Sequence, residues 1–291
     1  MAFNLQTLRT RALTSAIFVI IMMIGLLCDK WSFFILFTII HFGCWPEYQK
    51  IIGLIDKDYS RITSLHRYVA MLAGWCLMLS ITSGYYIFGR LSLHLIGYWL
   101  GLMLIVILPL TALPFTKKVV LKNAGYSFLG LIYISLSWAL MIDLRHPVVS
   151  LNAIPENISA PWLIPVIIVL SIWTNDTMAY LVGSWIGKTP FSKISPKKTW
   201  EGTIGGALLC IVLVTVVFYK AIAWKHLLVI SCIAAVMGTM GDLLESKLKR
   251  MANVKDSGSI MPGHGGFLDR FDSLLVATPF IWLYIHFLIK Q

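Results

Sequence analysis

Charge is what this chain has least of. Only 13% of its 291 residues are Asp, Glu, Lys or Arg, against about 25% in soluble domains. No polar stretch is long enough for a separate soluble fold, and 58% of the residues are hydrophobic. Cysteine is equally sparse. Cys28, Cys44, Cys76, Cys210 and Cys232 stand singly in apolar runs, and no pair has ligand spacing. A disulfide framework and a zinc site are thereby excluded. Also missing are a GxxxxGK[ST] phosphate loop, an internal repeat, a low-complexity segment, and a basic face interleaved with exposed aromatics of the kind that binds nucleic acid. Arg9 and Arg11 precede an apolar run without a small-residue cleavage site, so a retained first span is expected there rather than a cleaved leader.

What remains is long apolar segments, which place the chain among polytopic, all-α integral membrane proteins. Nine candidate spans lie at 12–28, 31–52, 68–88, 92–113, 124–142, 162–187, 203–223, 226–246 and 273–289. Each reaches, or nearly reaches, the ~20 residues that cross about 30 Å of hydrocarbon as a helix. Helix is the expected state because lipid cannot satisfy an open backbone. Net charge is +11, from 24 basic and 13 acidic residues, and its distribution is uneven. With the span ends included, the N-terminus and the loops after spans two, four, six and eight carry 18 Lys and Arg; the other loops and the C-terminus carry 6. Basic residues stay in cytoplasmic loops, so the alternation predicts a cytoplasmic N-terminus. It also puts the polar loops 188–202 and 247–272 in the cytoplasm. One membrane domain is expected over 1–291. Helices in 1–150 would form a scaffold or lipid groove, and 160–291 would form the catalytic half.

Two stretches concentrate the scarce polar residues. In Trp173–Gly206, Asn175 and Asp176 interrupt an apolar helix, where an ionisable group faces a polar cavity or a partner. Asp176, Tyr180, Gly183 and Gly187 recur at helical spacing and make one narrow polar face, suited either to a ligand or to a close-packed neighbour. SPKKTWEG follows, with Ser195 at a turn and Lys197 and Lys198 as point charges for phosphate. A solvated, topology-setting loop is the other reading of those lysines.

The second stretch, Asp242–Asp272, gathers eleven Asp, Glu, Lys, Arg and His residues, with Ser246 among them, within 31 positions. Asp242, Glu245, Ser246 and Lys249 fall at i, i+3, i+4 and i+7, on one helix face. Pro262-Gly263 forces a turn, and Gly265 and Gly266 let backbone amides approach an anion. Asp269 and Asp272 then sit one turn apart. Two sets of hard oxygen ligands with Arg250, Lys255 and Arg270 among them suit Mg²⁺, with a second cation allowed, better than zinc. His264 is read as a phosphate-touching or hydrogen-bonding group, or a general base.

The pattern Ser246-x-x-Lys249-Arg250-x4-Lys255-Asp256, then Pro262-Gly263-His264-Gly265-Gly266-x-x-Asp269-Arg270-x-Asp272, resembles the signature of the phosphatidate cytidylyltransferases (CDP-diacylglycerol synthases). NDTMAY and SPKKTWEG resemble that family's other polar motifs. The resemblance covers about the last 120 residues; the earlier spans agree only in number, character and length. It implies that CTP and phosphatidate give CDP-diacylglycerol and pyrophosphate with Mg²⁺. It further implies that Asp242, Ser246, Lys249 and Asp269 form the centre, with Asp242, Asp269 and Asp272 as metal ligands, and that the protein is a homodimer. Asp176, Ser195, Lys197, Lys198, Arg250, Lys255, His264, Gly265, Gly266 and Arg270 are the expected substrate-binding residues. A compact chain without soluble tails suits a bacterial inner membrane. Three other readings stay open: a CTP-dependent polyprenol kinase, a synthase acting on archaeal-type ether lipids, and an ion or solute transporter using Asp176.

Overall fold

The computed structural model describes residues 5–82, 85–111, 117–145, 160–192, 194–259 and 265–289. Nearly all of them are helical. In chain order the helices are α1 (Leu5–Leu27), α2 (Lys30–Ile55), α3 (Lys57–Ser60), α4 (Ser64–Ser80), α5 (Leu93–Leu110), α6 (Lys117–Gly130), α7 (Ser137–Asp143), α8 (Leu163–Ile186), α9 (Trp200–Phe218), α10 (Trp224–Met251) and α11 (Leu268–Tyr284). The one strand pair, β1 (Ile87–Phe88) with β2 (Leu91–Ser92), is a hairpin turned at Gly89, whose φ of 62° is left-handed. Each apolar segment singled out in the sequence contains a helix, but the 68–88 segment leaves it after Ser80 and reaches β1, and the 203–223 segment leaves it after Phe218. Among the described residues, five helical stretches are long and apolar enough to cross a membrane: Leu93–Leu110, Leu121–Asp143, Leu163–Ile186, Trp200–Phe218 and Trp224–Met251.

Local chemistry explains the boundaries. Asp29 caps α2, accepting from the Ser32 amide at 2.6 Å while Ser32 Oγ accepts from the Asp29 amide, a reciprocal box that satisfies two orphan donors. The segment after span two stays helical to Ile55. Asp56 then accepts from the Asp58 amide and starts α3. The stretch expected as one helix over 124–142 is broken by a π-helical turn at Leu131–Leu136. The extra residue accommodates crowding: a Cβ on Gly130 would lie 2.8 Å from both Trp45 and Tyr48, and π turns are where helices absorb such misfits. α10 ends in a Schellman motif. Asn253, at φ 56°, is left-handed, and the Val254 amide reaches back to the Lys249 carbonyl.

The chain forms two compact units. The first comprises 1–142 and 248–271, the second 143–247 and 272–291. In the first, Trp138 is fully buried and packs against Phe37 and Phe271, with ring centroids 5.1 and 5.6 Å away. Ser135 joins two polar groups inside this core: its Oγ lies 3.0 Å from His41 Nε2 and accepts from Trp45 Nε1. The second unit is organised by the α8–α9 pair. Ala179 and Gly183 on α8 meet Gly202 and Gly206 on α9 so closely that a Cβ on Gly206 would lie 2.6 Å from the Ala179 backbone, and Gly187, capping α8, meets Thr199. Small residues at four-residue spacing allow this approach in membrane helices. α10 and α11 meet similarly at Gly241, where a Cβ would stand 3.0 Å from Ser273 Cα.

Candidate functional site

The α8–α9 packing divides the narrow face foreseen on α8. Gly183 packs against Gly202, and Gly187 packs against Thr199, the cap of α9. Asp176 and Tyr180 open into a cavity of about 530 Å³, which Gly183 also lines. This cavity lies within the second unit and draws on four sources. α8 supplies Asn175, Asp176, Tyr180 and Gly183; the segment before α9 supplies Ser195, Lys197, Lys198 and Thr199; α9 adds Thr203; α10 supplies Thr239 and Asp242.

The loop is folded rather than merely solvated. The Phe191 amide donates to the Lys198 carbonyl at 2.7 Å, and the Trp200 amide to the Thr189 carbonyl at 3.0 Å. Glu201, in the first turn of α9, accepts from the Lys188 and Thr189 amides and from Thr189 Oγ1. Thr199 caps α9 through the Gly202 amide. These bonds carry Lys198 to Asp242, with which it forms an ion pair. Ser246 Oγ donates to the other oxygen of Asp242 at 3.2 Å. Asp176 feels both the attraction of Lys198 and the repulsion of Asp242.

Hard oxygen donors and ammonium groups therefore share one cavity. Buried Asn175 adds an acceptor, Oδ1, with no hydrogen-bond partner. A buried orphan acceptor in a cavity wall calls for a cation or a donor on a ligand. Among the described residues no three His, Cys, Asp or Glu side chains converge into a metal cage. One or two carboxylates, with the remaining positions left to substrate oxygens, is how Mg²⁺ is usually held. The residues thus fit Mg²⁺ bound by Asp242 and Asp176.

The remaining signature residues are arranged differently. Lys249 and Asp269 belong to the first unit and pair at 2.5 Å, both mostly buried. Asp269 Oδ2 accepts from the Ser257 amide and hydroxyl, each at 2.9 Å, and from the Gly266 amide at 2.8 Å. Its two oxygens are thus used to fasten the loop. Asp272 is buried in the second unit, and its Oδ1 accepts from the Ser273 amide. The three aspartates expected as metal ligands are therefore divided, Asp242 and Asp272 in one unit and Asp269 in the other. Arg250 donates to the Val254 carbonyl beyond the helix end; Lys255 is exposed, and Arg270 is half-buried. His264 lies outside the described residues. Glu245, foreseen on the polar face of α10, is fully buried.

One organiser was missed by the sequence reading. Glu47, on α2, is almost fully buried. Its carboxylate accepts from Ser257 Oγ at 2.7 Å, the Phe267 amide at 3.0 Å and the Leu268 amide at 2.8 Å. Gly265, at φ 79°, and Gly266 make room for carboxylates of this same chain. A Cβ on Gly265 would press on Asp269, and one on Gly266 would lie 2.5 Å from Glu47 Cδ. The anions approached by the glycine pair are thus Asp269 and Glu47. The signal available in the sequence was a lone acid after Pro46 inside an otherwise apolar span. Nothing local marks its role, because its partners lie more than 200 positions away.

Comparison with known proteins agrees with this inventory. The sequence pattern of the cytidylyltransferase family matches residues 9–288. A phosphatidate cytidylyltransferase of Bacillus subtilis (strain 168) is 31% identical over 281 residues, which is 95% of this chain and 96% of that protein. One from a Synechocystis strain is 39% identical over 138 residues, 45% of this chain and 46% of its own. One from Staphylococcus saprophyticus is 47% identical over 116 residues, 38% of this chain and 45% of its own. With nearly its whole length matched, the chain belongs to the phosphatidate cytidylyltransferases of the cytidylyltransferase family.

Proposed function

We propose that this protein transfers the cytidylyl group of CTP to phosphatidate, giving CDP-diacylglycerol and pyrophosphate. The observation that carries the reading at the level of residues is the cavity in which Asp176, Asp242, Lys197 and Lys198 meet. A phosphatidate phosphate oxygen attacks the α-phosphorus of CTP; a P–O bond forms there, the α–β bridging P–O bond breaks, and pyrophosphate leaves. The second pKa of a phosphate monoester is about 6, so the nucleophile is already ionised at neutral pH and needs no protein base. What the reaction needs is neutralisation of two approaching anions and an in-line arrangement. Lys197 and Lys198 supply positive charge, and Asp242, oriented by Ser246, with Asp176 holds the cation. Bound Mg²⁺ would supply charge stabilisation on the phosphates. Asp269, paired with Lys249, holds Ser257 and Gly266 in place; a ligand role for Asp269 would require it to give up both. Arg250, Lys255, His264 and Arg270 are assigned to substrate phosphates, and Asp272 to a secondary role at the start of α11.

In the membrane we propose nine spans, with the N-terminus and the 188–202 and 247–272 loops in the cytoplasm, where CTP is. The charge alternation supports this orientation, and the nine apolar segments of the sequence support the count, five of them matched by helical stretches long and apolar enough to span. A bacterial inner membrane and a homodimer complete the reading, with the helices of 1–150 acting as scaffold and 160–291 supplying the cavity.

Product analysis tests the reaction. With CTP labelled at the α-phosphate, the label should move into a chloroform-soluble lipid that co-migrates with CDP-diacylglycerol. Label left wholly in free CDP would indicate a kinase and overturn the assignment. Activity should also disappear in excess chelator and return on addition of Mg²⁺; full turnover in chelator would remove the cation from the account.

A further inference from the structure

A second cavity, of about 440 Å³, lies in the first unit. One wall is a face of α2, from Pro46 through Gln49 and Lys50 to Leu54. The other is a face of α4, from Ser64 through Arg67 and Tyr68 to Met71, and Ser60 completes the lining. Both faces follow helical spacing, so the hollow is built by two regular elements rather than by a loose loop.

Its charge is one-sided. Lys50 and Arg67 line it, and no carboxylate does. The three acids of this part of the chain are committed elsewhere. Glu47 holds the 257–268 loop. Asp56 pairs with Lys122 and accepts from the Asp58 amide and Tyr126; burial works to raise its carboxyl, and these bonds hold it below the ordinary value. Asp58 acts on Lys122 as well. Arg67 is held in place by its surroundings. Its Nη2 donates to the Ser60 carbonyl at 2.8 Å, and its own carbonyl accepts from Gln49 Nε2 at 3.0 Å. Arg67 Nε is buried and has no acceptor. The first turn of α4, a 17-residue helix, adds its positive end to the same wall.

The rim is of the opposite character. Leu54 and Tyr68 are 51% and 61% exposed, so uncovered apolar surface adjoins the cationic hollow. A ligand that satisfies both carries an anion at one end and hydrocarbon at the other. We infer that this cavity binds the phosphate headgroup of an anionic glycerophospholipid, with Lys50 and Arg67 on the phosphate and the acyl chains running past Leu54 and Tyr68. It is separate in sequence and in lining from the cavity around Asp242. The inference rests on the proposed membrane reading, which puts the 53–67 segment at a bilayer surface.

The test uses the full chain in neutral detergent, with retained lipid counted by native mass spectrometry. The probes are dioleoyl phosphatidylglycerol, dioleoyl phosphatidylethanolamine and inorganic phosphate. Wild type is expected to retain phosphatidylglycerol in preference to phosphatidylethanolamine. Lys50→Ala should weaken that retention about fivefold, as expected for one basic residue at an anionic surface, and Lys50→Arg should restore it. Lys50 is exposed, so its variants fold. Equal retention by wild type and Lys50→Ala would overturn the inference, and so would displacement of the lipid by inorganic phosphate. The readout does not involve CTP. A chain that binds phosphatidylglycerol but fails to make CDP-diacylglycerol refutes only the catalytic reading; one that makes it without lipid preference refutes only this site.

Discussion

Glu47→Ala is expected to lower phosphatidate-dependent cytidylyl transfer by at least about 100-fold. The substitution strands two donors, the part-buried amide of Phe267 and the buried amide of Leu268, and leaves Ser257 Oγ with Asp269 alone. Each costs roughly 1–3 kcal/mol when left without an acceptor. That sum is a large part of the whole stability of many domains, about 5–15 kcal/mol, so Gly266 and the start of α11 lose their anchor even if the helices persist. Glu47→Gln keeps the size and one accepting oxygen, and should fall between Ala and wild type. Comparing kcat and KM for CTP with the thermal midpoint of the same preparations separates an effect on the site from a loss of folded protein. Glu47→Ala with transfer within twofold of wild type would show that the loop needs no such anchor.

The second large effect belongs to Asp242. Asp242→Asn keeps the shape of the side chain but removes the charge that pairs with Lys198 and, in the proposed reaction, holds the cation. Loss of several kcal/mol of charge stabilisation corresponds to a fall in kcat of roughly 10³-fold or more. Lys198→Ala should act more on CTP handling, raising KM about tenfold. Because the two groups touch, the double variant should be less impaired than the product of the two single effects. Strict multiplicativity in the cycle would mean that Lys198 and Asp242 do not act as a pair.

These expectations show how much of the molecule could be read beforehand. The helices were legible because hydrocarbon leaves few choices: a run of about 20 apolar residues is a helix or is not in the bilayer. Each of the nine apolar segments contains a helix, five of the described helical stretches are long and apolar enough to span, and α6 and α7 are separated by a π turn that responds to Trp45 and Tyr48, far away in sequence. Asp176, Ser195, Lys197, Lys198 and Asp242 stood out as polar residues with no reason to be in apolar surroundings, and they do line one cavity. The glycine pair was only partly legible. Spacing said that Gly265 and Gly266 admit an anion at close range, but spacing cannot say whose. Asp269 is three residues from Gly266, within local reach. Glu47 comes from the other end of the chain, and a single acid near a span boundary carries no mark of a partner 220 positions later.

The central claim is that CTP is cleaved between its α- and β-phosphates only when phosphatidate is present to take the cytidylyl group. Pyrophosphate release from CTP, followed in mixed micelles with and without phosphatidate, tests it most directly. The account predicts release from wild type that depends on both phosphatidate and Mg²⁺, matches CDP-diacylglycerol one for one, and is lost in Asp242→Asn. Release that is independent of phosphatidate, or undiminished in Asp242→Asn, would contradict it.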